Sequence, residues 1–172
     1  MGITDLAAAM DHFRADATPE EAVLDAMVLF SFADGLASVA EMQYIGELRF
    51  GGDQQRAFAA IENSTDRLQN DGDFQGASAR IAALVTTPEQ RAEVLAYAVA
   101  VAYADLEIMD EEDLAIRWLR EALGLSLSLT QQICDQVADA VEEHDPSVGV
   151  TADLPMPPAF VRGDMWPGFR TK

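Results

Sequence analysis

The chain has 172 residues, of which 49% are hydrophobic, enough apolar material for the core of one self-sufficient domain. Its 30 acidic residues outnumber its 11 basic ones, and the formal net charge of −19 at pH 7 repels nucleic acids and anionic lipid headgroups, so we expect no nucleic-acid binding. Cys134 is the only cysteine, which excludes an intrachain disulfide and indicates a reducing compartment.

The sequence contains no pattern typical of secretion or of a membrane span. The first residues lack the basic segment of a signal peptide, and no apolar run reaches the roughly 18 residues of a spanning helix. The longest apolar run, 94–104, has the length of a buried core helix. We therefore expect a cytoplasmic protein without membrane insertion.

Apolar residues recur at helical spacing through most of the chain, which predicts an all-α fold of seven or eight helices. A leading helix is predicted over 3–14. Thr18 and Pro19 then predict a helix over about 19–33, with Thr18 as the N-cap and Pro19 in the first helical position. The other predicted helices cover 39–50, 54–68, 74–85, 88–104, 110–123 and 129–143.

A short acidic pattern occurs twice and indicates an internal duplication. Asp34 ends one apolar run and Glu41 follows it, and Asp105 and Glu112 repeat this arrangement 71 positions later. Apolar residues repeat at the same offset, as do the helix starts at Thr18-Pro19-Glu20 and Thr87-Pro88-Glu89. We interpret the repeats, about 18–50 and 87–123, as two αα-hairpins.

The four repeated carboxylates are the candidates for chemistry. If the hairpins pack about a pseudo-twofold axis, Asp34 and Asp105 face each other, and with Glu41 and Glu112 they would repel unless protonated or bridged by a cation. Calcium and magnesium accept such all-oxygen ligands. The alternative is structural: Glu41 closes a capping box with Ser38, and the two aspartates accept backbone amides in the turns.

The segment from Phe32 to Glu41, an apolar helix end followed by Ala-Asp-Gly, Ser and then Glu, resembles the tellurite-resistance TerB-like family. The domain of that family is also found in a DnaJ-like membrane co-chaperone. The resemblance extends over about 18–143. In the second copy Leu106 replaces the glycine and Met109 the serine, while the acidic residues stay in place.

The resemblance implies a duplicated helical bundle whose acidic cluster, here Asp34, Glu41, Asp105 and Glu112, binds a divalent cation such as calcium or magnesium. It also implies a link to tellurite and stress resistance, often near the inner face of the membrane, and it implies no enzymatic activity. We therefore expect a non-enzymatic stress-response adaptor with a protein partner that can bring it to the membrane, and a homodimer is left open. The alternative is a metal-free module that binds a protein through an acidic face or an apolar groove.

The chain divides into a helical domain over 1–145 and a proline-rich tail over 146–172. Phe160, Trp166 and Phe169 are candidate docking anchors in this tail. Residues 151–172 carry a net charge of +1 against −20 for the rest, which favours docking of the tail on its own body or on a second copy. We expect docking on its own body ahead of disorder or partner binding.

The remaining candidate residues point to no chemistry. A calcium loop counted from Asp105 fails, because Met109 and Ile116 occupy positions that need oxygen ligands. His12 and His144 stand alone and are predicted to lie on the surface. Cys134 has no neighbouring histidine, so we expect a small, buried apolar role for it.

Overall fold

The computed structural model describes residues 3–32, 39–103 and 110–143, and the predicted tail from 146 onward lies outside them. Within these ranges the chain forms eight α-helices and one short 3₁₀ turn, with no strand, which confirms the predicted all-α fold. The helices are α1 (Ile3–Met10), α2 (Glu20–Ser31), α3 (Val39–Arg49), α4 (Gln54–Asn70), α5 (Phe74–Leu84), α6 (Pro88–Ala102), α7 (Asp110–Leu123) and α8 (Leu127–Glu143). None of these helices is both long and apolar enough to cross a membrane.

Two central helices, α2 and α6, form the middle of the bundle. Every residue from 22 to 31 of α2 and from 93 to 102 of α6 is buried, so these helices are enclosed on all sides. They pack against each other, and the other helices surround them. A helix that is apolar on nearly every face needs such a surrounding layer. The part of the apolar run 94–104 that lies in α6, residues 94–102, is thus a core helix, as predicted.

The duplication is larger than the sequence pattern indicated. A shift of 71 positions superposes α1, α2, α3 and α4 on α5, α6, α7 and α8 in order. The packing repeats as well: α1 lies on α3 as α5 lies on α7, and α2 lies on α4 as α6 lies on α8. The repeating unit is therefore four helices, and the predicted hairpins are its inner part.

Local signals at several helix ends behave as predicted. Thr87 is the N-cap of α6, where its hydroxyl accepts from the Gln90 amide at 3.1 Å while the Gln90 side chain accepts from the Thr87 amide at 3.3 Å. Gly51 and Gly124 follow the ends of α3 and α7 with left-handed φ values of 59° and 69°.

The predicted cap at Thr18 is wrong. Helix α2 begins at Glu20, its N-cap is Pro19, and no side chain caps it. The chain turns at Ala17, whose φ is 61°, and the Thr18 hydroxyl donates back to the Ala15 carbonyl at 3.5 Å. The hydroxyl is therefore used by the preceding turn, so the same Thr-Pro-Glu letters give a cap in only one of the two repeats.

The 3₁₀ turn also shortens the predicted leading helix. Helix α1 ends at Met10, and residues 11–13 continue it as a single 3₁₀ turn. The Arg14 side chain leaves this turn to bind the Asp11 carboxylate at 3.0 Å and the Leu48 carbonyl at 3.0 Å. The turn therefore ties the beginning of the chain to the end of α3.

Candidate functional site

One buried arginine shows how the two central helices are oriented. The Arg49 guanidinium, at the end of α3, binds Glu20 through Nε and Nη2, each at 2.6 Å from a carboxylate oxygen. Its Nη1 donates to Glu93 at 3.0 Å. Glu20 is the first residue of α2, and Glu93 lies in the second turn of α6. The N-terminal ends of α2 and α6 therefore lie at the same end of the bundle.

The C-terminal ends of α2 and α6 consequently share the opposite end, because the two helices pack side by side along their buried lengths. Helices α3 and α7 run back from that end. Arg49 brings the end of α3 to the start of α2, and the Arg91 Nη1 of α6 donates to the Leu123 carbonyl at the end of α7 at 2.8 Å. Helices α3 and α7 therefore begin where α2 and α6 finish.

These four helix ends flank the predicted metal ligands. Glu41 and Glu112 are each the third residue of their helix, α3 and α7 respectively, which confirms their equivalent positions in the two repeats. Their side chains, and the whole of Asp34 and Asp105, lie outside the described residues. A shared site for the four carboxylates therefore stays a prediction.

The partial charges at the helix termini of this end stabilise both the carboxylate ligands and the cation of the predicted site. The free amides at the start of a helix stabilise carboxylates in its first turn, where Glu41 and Glu112 stand. The free carbonyls at the ends of α2 and α6 carry partial negative charge and favour a cation. Among the side chains that the structure describes, no group of three or more His, Cys, Asp or Glu could hold a metal ion.

The anchors predicted for the tail, Phe160, Trp166 and Phe169, lie outside the described residues, as does His144. His12 is exposed, as predicted, and its Nδ1 lies 2.8 Å from the Ala9 carbonyl. No chemistry is assigned to His12, because its ring only closes the end of the first helix.

Sequence reasoning missed a buried ionic cluster around Asp25. This side chain on α2 is fully buried and accepts from the Ser64 hydroxyl at 2.6 Å. Arg67 reaches it with Nη2 at 2.6 Å and Nε at 3.0 Å, and Arg80 with Nη2 at 2.9 Å. The cluster ties α4 and α5 to α2. Its one sequence signal is a lone carboxylate inside an apolar run.

A second missed cluster surrounds Arg49, whose side chain is only 2% exposed. Glu93 also accepts from the Ala15 amide at 2.9 Å. The Arg49 guanidinium lies 4.6 Å from the centre of the Tyr97 ring, and the Tyr97 hydroxyl donates to the Met10 carbonyl at 3.1 Å. Burial raises the pKa of Tyr97, so the hydroxyl remains a donor. Both clusters are structural: they fix the helices that carry the candidate site.

Cys134 lies half-buried on α8 and packs against the core, in agreement with the expected apolar role. Burial, reinforced by the negative charges of Asp135 and Asp113, raises the pKa of its thiol from 9.0 to about 11. The thiol is therefore protonated at neutral pH and is a poor nucleophile.

This pKa predicts slow alkylation of the native protein. At pH 8 iodoacetamide should modify Cys134 about a hundredfold more slowly in the folded chain than in urea, because a pKa of about 11 instead of 9.0 leaves about a hundredfold less thiolate. The native rate should rise steeply as the pH approaches 11. Mass spectrometry of timed samples measures both rates, and equal rates in the folded and unfolded chain would contradict the shift.

Comparison with known proteins identifies the family to which this arrangement belongs. No curated protein and no solved structure matches the chain. The family model described as tellurite resistance protein TerB matches residues 20–136, which span the helices from α2 into α8. The matched range includes Asp34, Glu41, Asp105 and Glu112. The match covers well over half of the 172 residues. The chain belongs to the TerB family of tellurite resistance proteins.

Proposed function

We propose that this TerB protein binds a divalent cation, calcium or magnesium, through Asp34, Glu41, Asp105 and Glu112. The observation that carries the proposal is the parallel packing of α2 and α6, which brings the helix ends flanking all four residues to one end of the bundle. Four carboxylates gathered there would repel one another, and a hard cation with oxygen ligands relieves that repulsion.

The proposed role is non-enzymatic. We infer a cytoplasmic adaptor in tellurite or stress resistance, whose cation-loaded end binds a protein partner and which reaches a membrane only through that partner. The donor set supports a hard cation, because all four proposed ligands are carboxylates, whereas zinc and copper prefer imidazole or thiolate. A metal-free interaction module would bind its partner equally well in EDTA, which separates the two roles.

Thermal unfolding tests the cation site. Millimolar calcium, magnesium or manganese should raise the Tm of the wild type by about 5–10 °C, the effect of a ligand present at about a hundred times its Kd. The double variant Asp34→Asn with Asp105→Asn should lose this rise. A control that removes the same charge from the exposed residues Glu62 and Asp66 of α4, Glu62→Gln with Asp66→Asn, should keep it.

The same experiment without cation separates a shared site from two separate helix caps. If Asp34 and Asp105 repel each other, the double variant in EDTA should melt above the wild type, because the repulsion is gone. If they only accept backbone amides, the variant should melt below it. The proposal fails if none of the three cations raises the Tm, or if the control loses the rise as well.

A further inference from the structure

A cleft of about 400 Å³ opens between α7 and α8, and its lining adjoins the proposed cation ligands in sequence: Asp113 follows Glu112, and Tyr103 lies two residues before Asp105. One face of each helix lines it, with residues spaced three or four apart. The charged residues of the lining are Asp113, Arg117 and Arg120 on α7, and Leu127, Thr130 and Cys134 line the cleft from α8. The volume falls within the range of small-molecule sites.

The cleft lies where the packing of the two repeats differs. In the first repeat α3 and α4 pack directly, and the Gln54 side chain lies against Gly46, with its Nε2 2.5 Å from where a Cβ atom would be. Arg117 stands at the equivalent position of the second repeat, 71 residues later. Helices α7 and α8 make no comparable contact. The position that is glycine in the closely packed helix pair is arginine in the pair that leaves the cleft.

Two cationic side chains and one buried hydroxyl of the cleft favour an anion, against the single carboxylate of Asp113. Thr130 is only 5% exposed, and its Oγ1 has no hydrogen-bond partner among the described residues. A buried hydroxyl without a partner is costly unless a ligand supplies one. The Arg120 side chain is 22% exposed. Its Nη1 donates to the Leu125 carbonyl at 3.2 Å, and its Nη2 lies 3.6 Å from Oε1 of Glu121. Arg117 is exposed and makes no ion pair within the described part of the chain.

The rim of the cleft is apolar. Leu127 is 71% exposed, the one large hydrophobic residue so exposed within the described ranges. Ile116 and the half-buried Tyr103 lie beside it. The first-repeat equivalent of Tyr103, Phe32, is buried, so this apolar surface too is specific to the second repeat.

We propose that the cleft binds a small amphipathic anion. Its charged head, a carboxylate or a phosphate, forms ion pairs with Arg117 and Arg120 and accepts a hydrogen bond from the Thr130 hydroxyl. Its apolar part packs on Leu127 and Ile116. Arg117 and Arg120 outnumber Asp113, the one carboxylate of the lining, so the cleft is more favourable to an anion than the surface of a chain with a net charge of −19 is on average.

NMR titration of the full-length, ¹⁵N-labelled chain tests this. Octanoate or octyl phosphate should shift the amide signals of Thr130 and Cys134 in a saturable way, and whichever binds more tightly identifies the head group. Octanol, which has the same tail without the charge, should bind at least about tenfold more weakly. Equal shifts with octanol, or no shifts with either anion, would overturn the proposal.

Two variants localise the site. Arg117→Gln and Thr130→Val should each weaken binding about tenfold, whereas Arg56→Gln, the same change at an exposed arginine of α4, should leave it unchanged. Thr130→Val should not lower the Tm, because the hydroxyl it removes has no hydrogen-bond partner in the described part of the chain. Unchanged binding in Arg117→Gln would overturn the proposal. Binding that occurs only after residues 151–172 are removed would also overturn it, because the tail would then be what occupies the cleft in the full-length chain.

Discussion

Replacing Arg49 with methionine should lower the free energy of unfolding by about 3 kcal/mol and the Tm by roughly 10 °C. Methionine keeps much of the apolar stem but removes the charge from a side chain that is only 2% exposed. Glu93, also 2% exposed, would keep a single donor, the Ala15 amide, for a buried negative charge. An uncompensated buried carboxylate is the main cause of the expected loss.

The duplication supplies the control. Arg120 occupies the position equivalent to Arg49, 71 residues later, but it is 22% exposed, and within the described ranges its one charged side-chain partner is Glu121, which is 58% exposed. Arg120→Met should therefore cost no more than about 1 kcal/mol. Adding Glu93→Gln to Arg49→Met should recover part of the stability, because the amide carries no charge. Urea unfolding measures all three; equal losses for the two arginines, or no recovery, would contradict this account.

Replacing Asp25 with alanine should also cost about 3 kcal/mol. The change leaves the Ser64 hydroxyl and two arginines without the acceptor that they share. The loss in free energy of unfolding should stay below the roughly 5 kcal/mol that breaking a buried ion pair can cost. The reason is that the side chains of Arg67 and Arg80 are 32% and 29% exposed and keep contact with water. Arg80 also keeps Asp71, whose carboxylate oxygens lie 2.9 and 3.0 Å from its Nε.

Asp66→Ala is the matched control for Asp25→Ala, because Asp66 is exposed on α4 beside Arg67. It should change the free energy of unfolding by less than about 0.5 kcal/mol. The loss at Asp25 should persist in 1 M salt, since buried pairs are poorly screened. Chemical denaturation at two salt concentrations measures both effects. A loss at Asp25 that disappears in high salt would mean that the cluster behaves as a surface ion pair.

Much of the fold can be predicted from the sequence because its signals are local. The Thr87 cap, Gly51 and Gly124 mark helix ends through hydrogen bonds and backbone angles set within a few residues. The predicted cap at Thr18 is wrong because the capping rule takes no account of the preceding turn, where Ala17 has a left-handed φ and the Thr18 hydroxyl donates to the Ala15 carbonyl. The 71-residue offset predicts the duplication, and it extends to helices that share little sequence pattern.

The candidate site and the clusters that support it depend on contacts between distant parts of the chain. Asp25 meets Ser64, Arg67 and Arg80 only after α4 and α5 have packed on α2. Nothing near Arg49 in sequence indicates that it joins the starts of α2 and α6. Sequence periodicity predicts helices but not their relative directions. Those directions decide whether the helix ends that flank Asp34 and Asp105 lie at the same end of the bundle.

Isothermal titration calorimetry with calcium, repeated with magnesium, tests the central claim most directly: that the duplication builds one cation site from both halves. We predict a single cation per chain, and we expect Asp34→Asn alone and Asp105→Asn alone each to abolish binding, because both repeats supply ligands to the same ion. Two independent sites, each lost with its own aspartate only, or no binding of either cation to the wild type, would contradict the account.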